Sequence, residues 1–214
     1  MLLIFDLDGT LFQAKPVCLQ ADRRLLREMN VPVPDENTLI KNAGQGLDTL
    51  LRNVLPDGSD HSAARMRFIE LVREEILERG ELFPGALEAI TRLHGAGHKL
   101  VICSNSPQEY ITTVLEHTGM AGFFAQYRSA EGYPSKAELI RELVTEMIDP
   151  SDSAIVIGDT HGDVEAAHEN GLSAIAVTYG YGNKSLLAQA DYFADTPSDI
   201  ASQVILLEKN ERLS

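Results

Sequence analysis

Short apolar runs recur along this chain, each followed by a stretch of helical periodicity, and that alternation narrows the possible folds more than any other feature. Leu2–Leu7, Lys99–Cys103, Ala154–Ile157 and Ser173–Val177 read as buried strands, with Phe123–Arg128 and Asp191–Ala194 as weaker ones. Between them, Gly85–His94, Pro107–His117, Lys136–Ile148 and Val164–Asn170 read as helices. Strands alternating with helices predict an α/β fold, a doubly wound parallel sheet with helices on both faces. Ligands of such sheets bind outside the carboxyl ends of the strands. The polar residues Asp6, Asp8, Ser104, Asn105 and Asp159 all fall at that expected edge.

One interval does not fit a simple crossover. About ninety residues separate Leu7 from Lys99, where roughly a dozen suffice. The segment "FPGALEAITRLHGAGHK" already supplies the crossover helix, with Pro84 near its start and Gly95 and Gly97 at its end. The surplus holds "VCLQADRRLLREMN", "GLDTLLRNVLP" and a third pattern with Met66, Ile69, Val72 and Ile76 at three- and four-residue steps, stopped by Gly80. The expected organisation is therefore a core domain of residues 1–13 and 84–214, with an all-helical domain, 14–83, inserted in it.

The 214 residues are 44% hydrophobic, enough for a sizeable core. The 32 acidic and 18 basic residues give a net charge of −14, which argues against a nucleic-acid partner. Cys18 and Cys103 form neither a disulfide framework nor a zinc pattern. Met1 leads into a strand without a basic leader, and no apolar run approaches the roughly 18 residues of a membrane span. A cytoplasmic protein with no membrane partner is expected.

The acids carry the chemistry. In "FDLDGTLF", Asp6 and Asp8 would share one face if the first strand ran through them. In "VIGDTHGDVEAA", Asp159 leaves an apolar strand and Asp163 stands at the mouth of a helix, where an acid is favourable in any case. If the first and fourth strands are neighbours, four carboxylates converge. Two such charges 4 Å apart repel by roughly 4 kcal/mol at an effective dielectric of 20. A divalent cation relieves that repulsion, and oxygen-only ligands favour Mg2+ over zinc.

"DLDGTLF", "VICSNSP", the lysine of "YPSKAELI" and "GDTHGDVEAA", in that order, resemble the haloacid dehalogenase-like (HAD) hydrolase superfamily over residues 1 to about 182. The inserted helices look like that family's cap on a Rossmann-like core. "AGQGLDTLLRNVLP" and "AVTYGYG" are similar to its phosphoglycolate phosphatase-like branch. The resemblance implies an Mg2+-dependent phosphatase of a small phosphate ester, acting through an aspartyl-phosphate. Asp6 would be the nucleophile and Asp8 the general acid and base. Ser104 and the backbone N–H of Asn105 would hold a phosphate oxygen, and Lys136 would neutralise both phosphate and Asp6. Asp6, Asp159 and the carbonyl of Asp8 would bind the metal. Asp163 is expected to hold Lys136 or a water rather than the ion. In the cap, Lys41, Asn42 and Gln45 of "KNAGQG" are candidates for reading the substrate. A phosphomutase of the β-phosphoglucomutase type would use the same two aspartates. A non-catalytic signalling module binding Mg2+ and phosphate is a third possibility, though it leaves the inserted helices without a purpose.

Overall fold

The strands are β1 (Leu2–Phe5), β2 (Lys99–Ser104), β3 (Gln126–Ser129), β4 (Ala154–Gly158), β5 (Ser173–Val177) and β6 (Tyr192–Ala194). They form one parallel sheet in the order β3-β2-β1-β4-β5-β6. The computed structural model describes residues 1–43, 47–56, 58–148 and 152–211. The chain divides into two compact units, one of residues Met1–Phe12 and Leu82–Ser214 and the other of Gln13–Glu81.

The second unit is helical: α1 (Ala14–Glu28), α2 (Glu36–Ala43), α3 (Leu47–Val54) and α4 (His61–Arg79). Helix α1 packs along α4 and buries Leu25 and Leu26, while α4 buries Leu71, Val72 and Ile76. The start of α4 is fixed by Asp60, whose carboxylate accepts the Ala63 N–H at 3.0 Å. Met66, expected on the buried stripe, is instead 60% exposed; the stripe runs through Ala64, Leu71, Val72, Glu75 and Ile76. Its apolar spacing alone could not reveal that a glutamate replaces a hydrophobe on the inner face. The segment "KNAGQG", which holds the candidate substrate readers, begins as helix. Asp35 accepts the Thr38 N–H and hydroxyl at 3.1 and 2.8 Å, starting α2, which carries through Lys41 and Asn42. Gln45 lies outside the described residues.

Around the sheet run α5 (Ala86–Gly95), α6 (Gln108–His117), α7 (Lys136–Met147), α8 (His161–Glu169) and α9 (Pro197–Glu211). Alternation along the strands sorts their side chains to two faces. Leu2, Ile4, Val101, Cys103, Val156 and Ala174 pack with Ala137, Ile140 and Leu143 of α7 and Val164 and Ala167 of α8. The alternate set, including Leu3, Phe5, Ile102, Ile155 and Ile157, is equally buried on the opposite face, and α9, which packs on α5, lies against β5 and β6. Both faces covered is what near-continuous apolar strands require. Among the described residues, no helix is long and apolar enough to cross a membrane.

Strand β1 is central, with Phe5 opposite Ile102 of β2 and Ile157 of β4. The chain crosses from β1 to β2 on one side and reaches β4 on the other, so the order reverses beside β1. That switch point is where an open α/β sheet leaves a crevice at its carboxyl edge.

Candidate active site

The first strand stops at Phe5, two residues short of its apolar run. Asp6 still donates its N–H to the Ile157 carbonyl at 2.8 Å, but the Leu7 carbonyl turns to accept the N–H groups of Thr10, Leu11 and Phe12. Asp6 and Asp8 therefore reach the site from a tight loop, not from one strand face. Gly9 makes that loop possible. Its φ is +83°, and a Cβ there would lie 2.2 Å from Oδ2 of Asp159.

Asp6 and Asp159, which follow neighbouring strands, come together with Asp163: one carboxylate oxygen from each lies within 4.8 Å of the others. All three are buried. Lys136, the first residue of α7, places Nζ 2.6 Å from Asp6 Oδ1 and 2.5 Å from Asp163 Oδ1. A lysine at a helix N-terminus opposes the helix dipole; two carboxylates more than offset that. Asp163 does double duty. Its other oxygen accepts the Thr160 N–H and hydroxyl at 3.0 and 2.7 Å, capping α8 three residues before the helix expected from apolar spacing.

Asp159 is held from the other side. The backbone N–H groups of Tyr181 and Gly182 donate to its Oδ2 at 2.6 and 3.2 Å. A Cβ on Gly182 would meet the Asp159 carbonyl at 1.8 Å, so the loop after β5 approaches this closely only with glycine there. Asp159 Oδ1 is buried with no hydrogen-bond partner among the described residues.

Burial pushes the Asp6 carboxyl well above the ordinary carboxylate range; Lys136 opposes the rise, while Asp163 and Asp159 add to it. Burial likewise lifts Asp159 to about 6, against the two backbone donors. For Lys136, burial works against the charge, but Asp163 and Asp6 outweigh it and hold the ammonium well above its usual range. Three buried aspartates gather around one lysine. An uncompensated buried charge costs several kcal/mol. A divalent cation fits what is left over: an all-oxygen donor set, a charge imbalance and a buried Asp159 oxygen with no hydrogen-bond partner among the described residues.

Asp8 stands apart from the lysine. Its Oδ2 accepts the Ser106 hydroxyl at 2.5 Å and its Oδ1 the Tyr110 hydroxyl at 2.7 Å. Burial raises its carboxyl above the usual value, with both hydroxyls pulling the other way. Ser104, at the end of β2, is buried and accepts the Ser106 N–H at 3.1 Å, the local turn that a serine before Pro107 suggests. Asn105 is exposed. The structure thus brings Asp6, Asp159, Asp163 and Lys136 into direct contact or near it, and sets Asp8 and Ser104 around Ser106.

Reasoning from sequence missed four contributors. Thr10, whose hydroxyl donates to Asp6 Oδ2 at 3.3 Å, lay inside the quoted motif, as did Ser106 inside "SNSP". The paired glycines of "YGYG" signalled a close backbone approach. Tyr110 had no local signal, since only the adjacency of β1 and β2 brings it to Asp8.

A family model described as haloacid dehalogenase-like hydrolase matches residues 3–177. The chain is 27% identical over 220 residues to a protein named phosphoglycolate phosphatase from Vibrio vulnificus, covering 96% of each. Among solved structures, a haloacid dehalogenase-like hydrolase from Streptococcus pneumoniae superposes with a TM-score of 0.81 at 26% identity, covering 95% of this chain and 97% of that one. A predicted phosphoglycolate phosphatase from Haemophilus somnus gives a TM-score of 0.84 at 23% identity, covering 95% and 97%, and speaks to the fold. With its α/β sheet, its acidic carboxyl edge and a family match over most of its length, the chain belongs to the haloacid dehalogenase-like hydrolases.

Proposed function

We propose that this hydrolase is a phosphatase that cleaves a small phosphate monoester through a covalent intermediate on Asp6. One observation carries the reading: Asp6, Asp159 and Asp163 converge around Lys136 beside Asp8, at the point where the strand order reverses. Asp6, whose ionised form the ammonium on Oδ1 favours, attacks phosphorus and becomes an acyl phosphate. Asp8 protonates the departing alkoxide and then takes a proton from the water that hydrolyses the intermediate. Ser104 and the Asn105 N–H bind a phosphoryl oxygen. Lys136 neutralises charge that the phosphate brings beside Asp6. Asp163 orients Lys136 by a 2.5 Å ion pair and is itself locked by Thr160.

Mg2+ would be held by the side chains of Asp6 and Asp159 and the backbone carbonyl of Asp8. When bound it supplies Lewis-acid stabilisation of charge on the phosphoryl oxygens. The helical unit is read as the cap that selects the ester. The relatives named phosphoglycolate phosphatase make phosphoglycolate the first ester to try.

The test is release of inorganic phosphate from phosphoglycolate, sugar phosphates and nucleotides, with Mg2+ added to metal-stripped protein. Sustained release from one small ester is expected. Transfer of phosphate between sugar positions without release would make the protein a mutase. No turnover of any ester, with phosphate or Mg2+ binding intact, would make it a signalling module.

A further inference from the structure

The two aspartates of the loop are held by different chemistry, and the difference has a purpose. Asp6 faces an ammonium, which favours only the ionised carboxylate. Asp8 faces two neutral hydroxyls, one on each oxygen. A hydroxyl donates to a carboxylate and, by rotating, accepts from a carboxylic acid. Each carboxylate oxygen also has a second lone pair free for a proton. Two hydroxyls, one on each oxygen, therefore fix the position of Asp8: as donors they favour the carboxylate, and by rotating they can keep hold of the acid. That is what a group needs if it gives a proton in one half-reaction and takes one in the next.

The clamp is itself built in. Ser106 is fixed by its N–H on Ser104 Oγ at 3.1 Å and by its carbonyl, which accepts the Ser129 hydroxyl at 2.7 Å. The Ser129 hydroxyl also accepts the Glu131 N–H at 3.0 Å, and the Ser129 N–H donates to Gln108 Oε1 at 3.0 Å. The rotor on Asp8 thus hangs from a turn between β2 and α6 that is braced by Ser129 at the end of β3. Tyr110 is buried on α6, its ring edge-on to Phe12 at 6.4 Å between centroids. Phe12 belongs to the same loop as Asp8, bridging to it directly. Ring and hydroxyl together tie α6 to the Asp8 loop.

We infer that Ser106 and Tyr110 are positioning residues for the reaction: they hold the Asp8 carboxyl where it can pass a proton to and from the ester oxygen. This rests on the reading of Asp8 as general acid and base. The step they support balances simply: the Asp6 oxygen–phosphorus bond forms, the ester oxygen–phosphorus bond breaks, and the ester oxygen leaves as alcohol with the proton from Asp8.

The experiment compares kcat/KM for glycerol 2-phosphate, whose alcohol leaves badly without a proton, with p-nitrophenyl phosphate, whose acidic phenol leaves readily. Tyr110→Phe keeps the ring against Phe12 and deletes only the hydroxyl; Ser106→Ala deletes the other; Ser106→Thr restores it. Each single deletion should lower kcat/KM for glycerol 2-phosphate by about tenfold or more and for p-nitrophenyl phosphate by about threefold or less, since general acid help is worth most to the poor leaving group. The double variant should approach Asp8→Asn in the ratio of the two substrates, and Ser106→Thr should recover most of the ratio. Equal losses on both substrates, or none on either, with Asp8→Asn still selective for glycerol 2-phosphate, would overturn the positioning role and leave the reading of Asp8 intact. Equal losses from Asp8→Asn itself would overturn that reading, and the inference with it.

Discussion

In the α/β unit, three buried aspartates meet at one sheet edge around a single lysine. In the helical unit, two buried acids sit on separate helices: Glu75 of α4 lies between Arg24 and Arg79, while neither oxygen of Asp22 on α1 has a partner among the described residues. Arg24 is 2.8 Å from one Glu75 oxygen and Arg79 2.6 Å from the other, the latter angled away from a hydrogen bond. The contrast separates two uses of buried charge. Around Glu75 the charge is balanced by two arginines within the packing of α1 and α4. At the sheet edge it is concentrated and left short of positive charge, which costs stability and is the imbalance that the proposed Mg2+ would relieve. Asp22 has the cost without the company.

The comparison is broken most severely at Asp6. Asp6→Asn should lower kcat by at least about a thousandfold, because an amide cannot form the acyl phosphate. Circular dichroism should show the fold retained. Asp22→Asn, equally buried, should leave kcat within about twofold, the size of an ordinary remote substitution.

Metal removal should come next. Chelation should abolish turnover, Mg2+ restore it, and Ca2+ restore it poorly, because calcium takes more ligands in looser geometry. Mg2+ at about a hundred times its dissociation constant should also stabilise the protein by about 2.7 kcal/mol. Asp159→Asn should remove most of that gain in thermal unfolding, and no substitution at Glu75 should.

Lys136→Met leaves Asp6 and Asp163 buried without their cation. In metal-free protein it should destabilise the fold by about 3–5 kcal/mol in urea unfolding. Lys136→Met combined with Asp163→Asn should recover part of that loss, which a purely steric defect would not allow.

The effect furthest from the site concerns Asp22, whose carboxyl burial lifts from 3.8 to about 7, with Arg23 opposing. Between those values the unfolded chain has lost the proton that the folded protein keeps. Its contribution to stability is therefore complete below pH 3.8, falls as pH rises, and is flat above about 7. The fall is at most about 4 kcal/mol, at 1.36 kcal/mol per pH unit. Asp22→Asn should flatten this slope in unfolding measured from pH 4 to 8; an unchanged slope would show that Asp22 titrates normally.

Much of this was legible in the chain because it depends on local order. Apolar runs ending in Asp6, Ser104 and Asp159 implied a parallel sheet with a polar carboxyl edge, and β1 and β4, on whose adjacency the meeting of the acids depended, do pair. Lys136 at a helix start was conspicuous because the helix dipole disfavours it. The limits were physical as well. The end of β1 was overextended because Leu7 is apolar but spends its carbonyl on a turn. Helix α8 was begun late because its first turn, His161 to Asp163, is held by a cap rather than by apolar spacing. Tyr110 stayed hidden because its contact with Asp8 spans 102 residues, and no local pattern encodes a partner that far away.

The central claim is that Asp6 carries the phosphoryl group. Protein mixed briefly with substrate and Mg2+, quenched in acid and digested should yield the Leu2–Phe12 region bearing one added phosphoryl group on Asp6, measured by mass spectrometry. The account predicts that this species forms and decays at rates that match turnover, and that Asp6→Asn never shows it. Full turnover with no phosphoryl group on Asp6 at any time, or with the group on another residue, would contradict it.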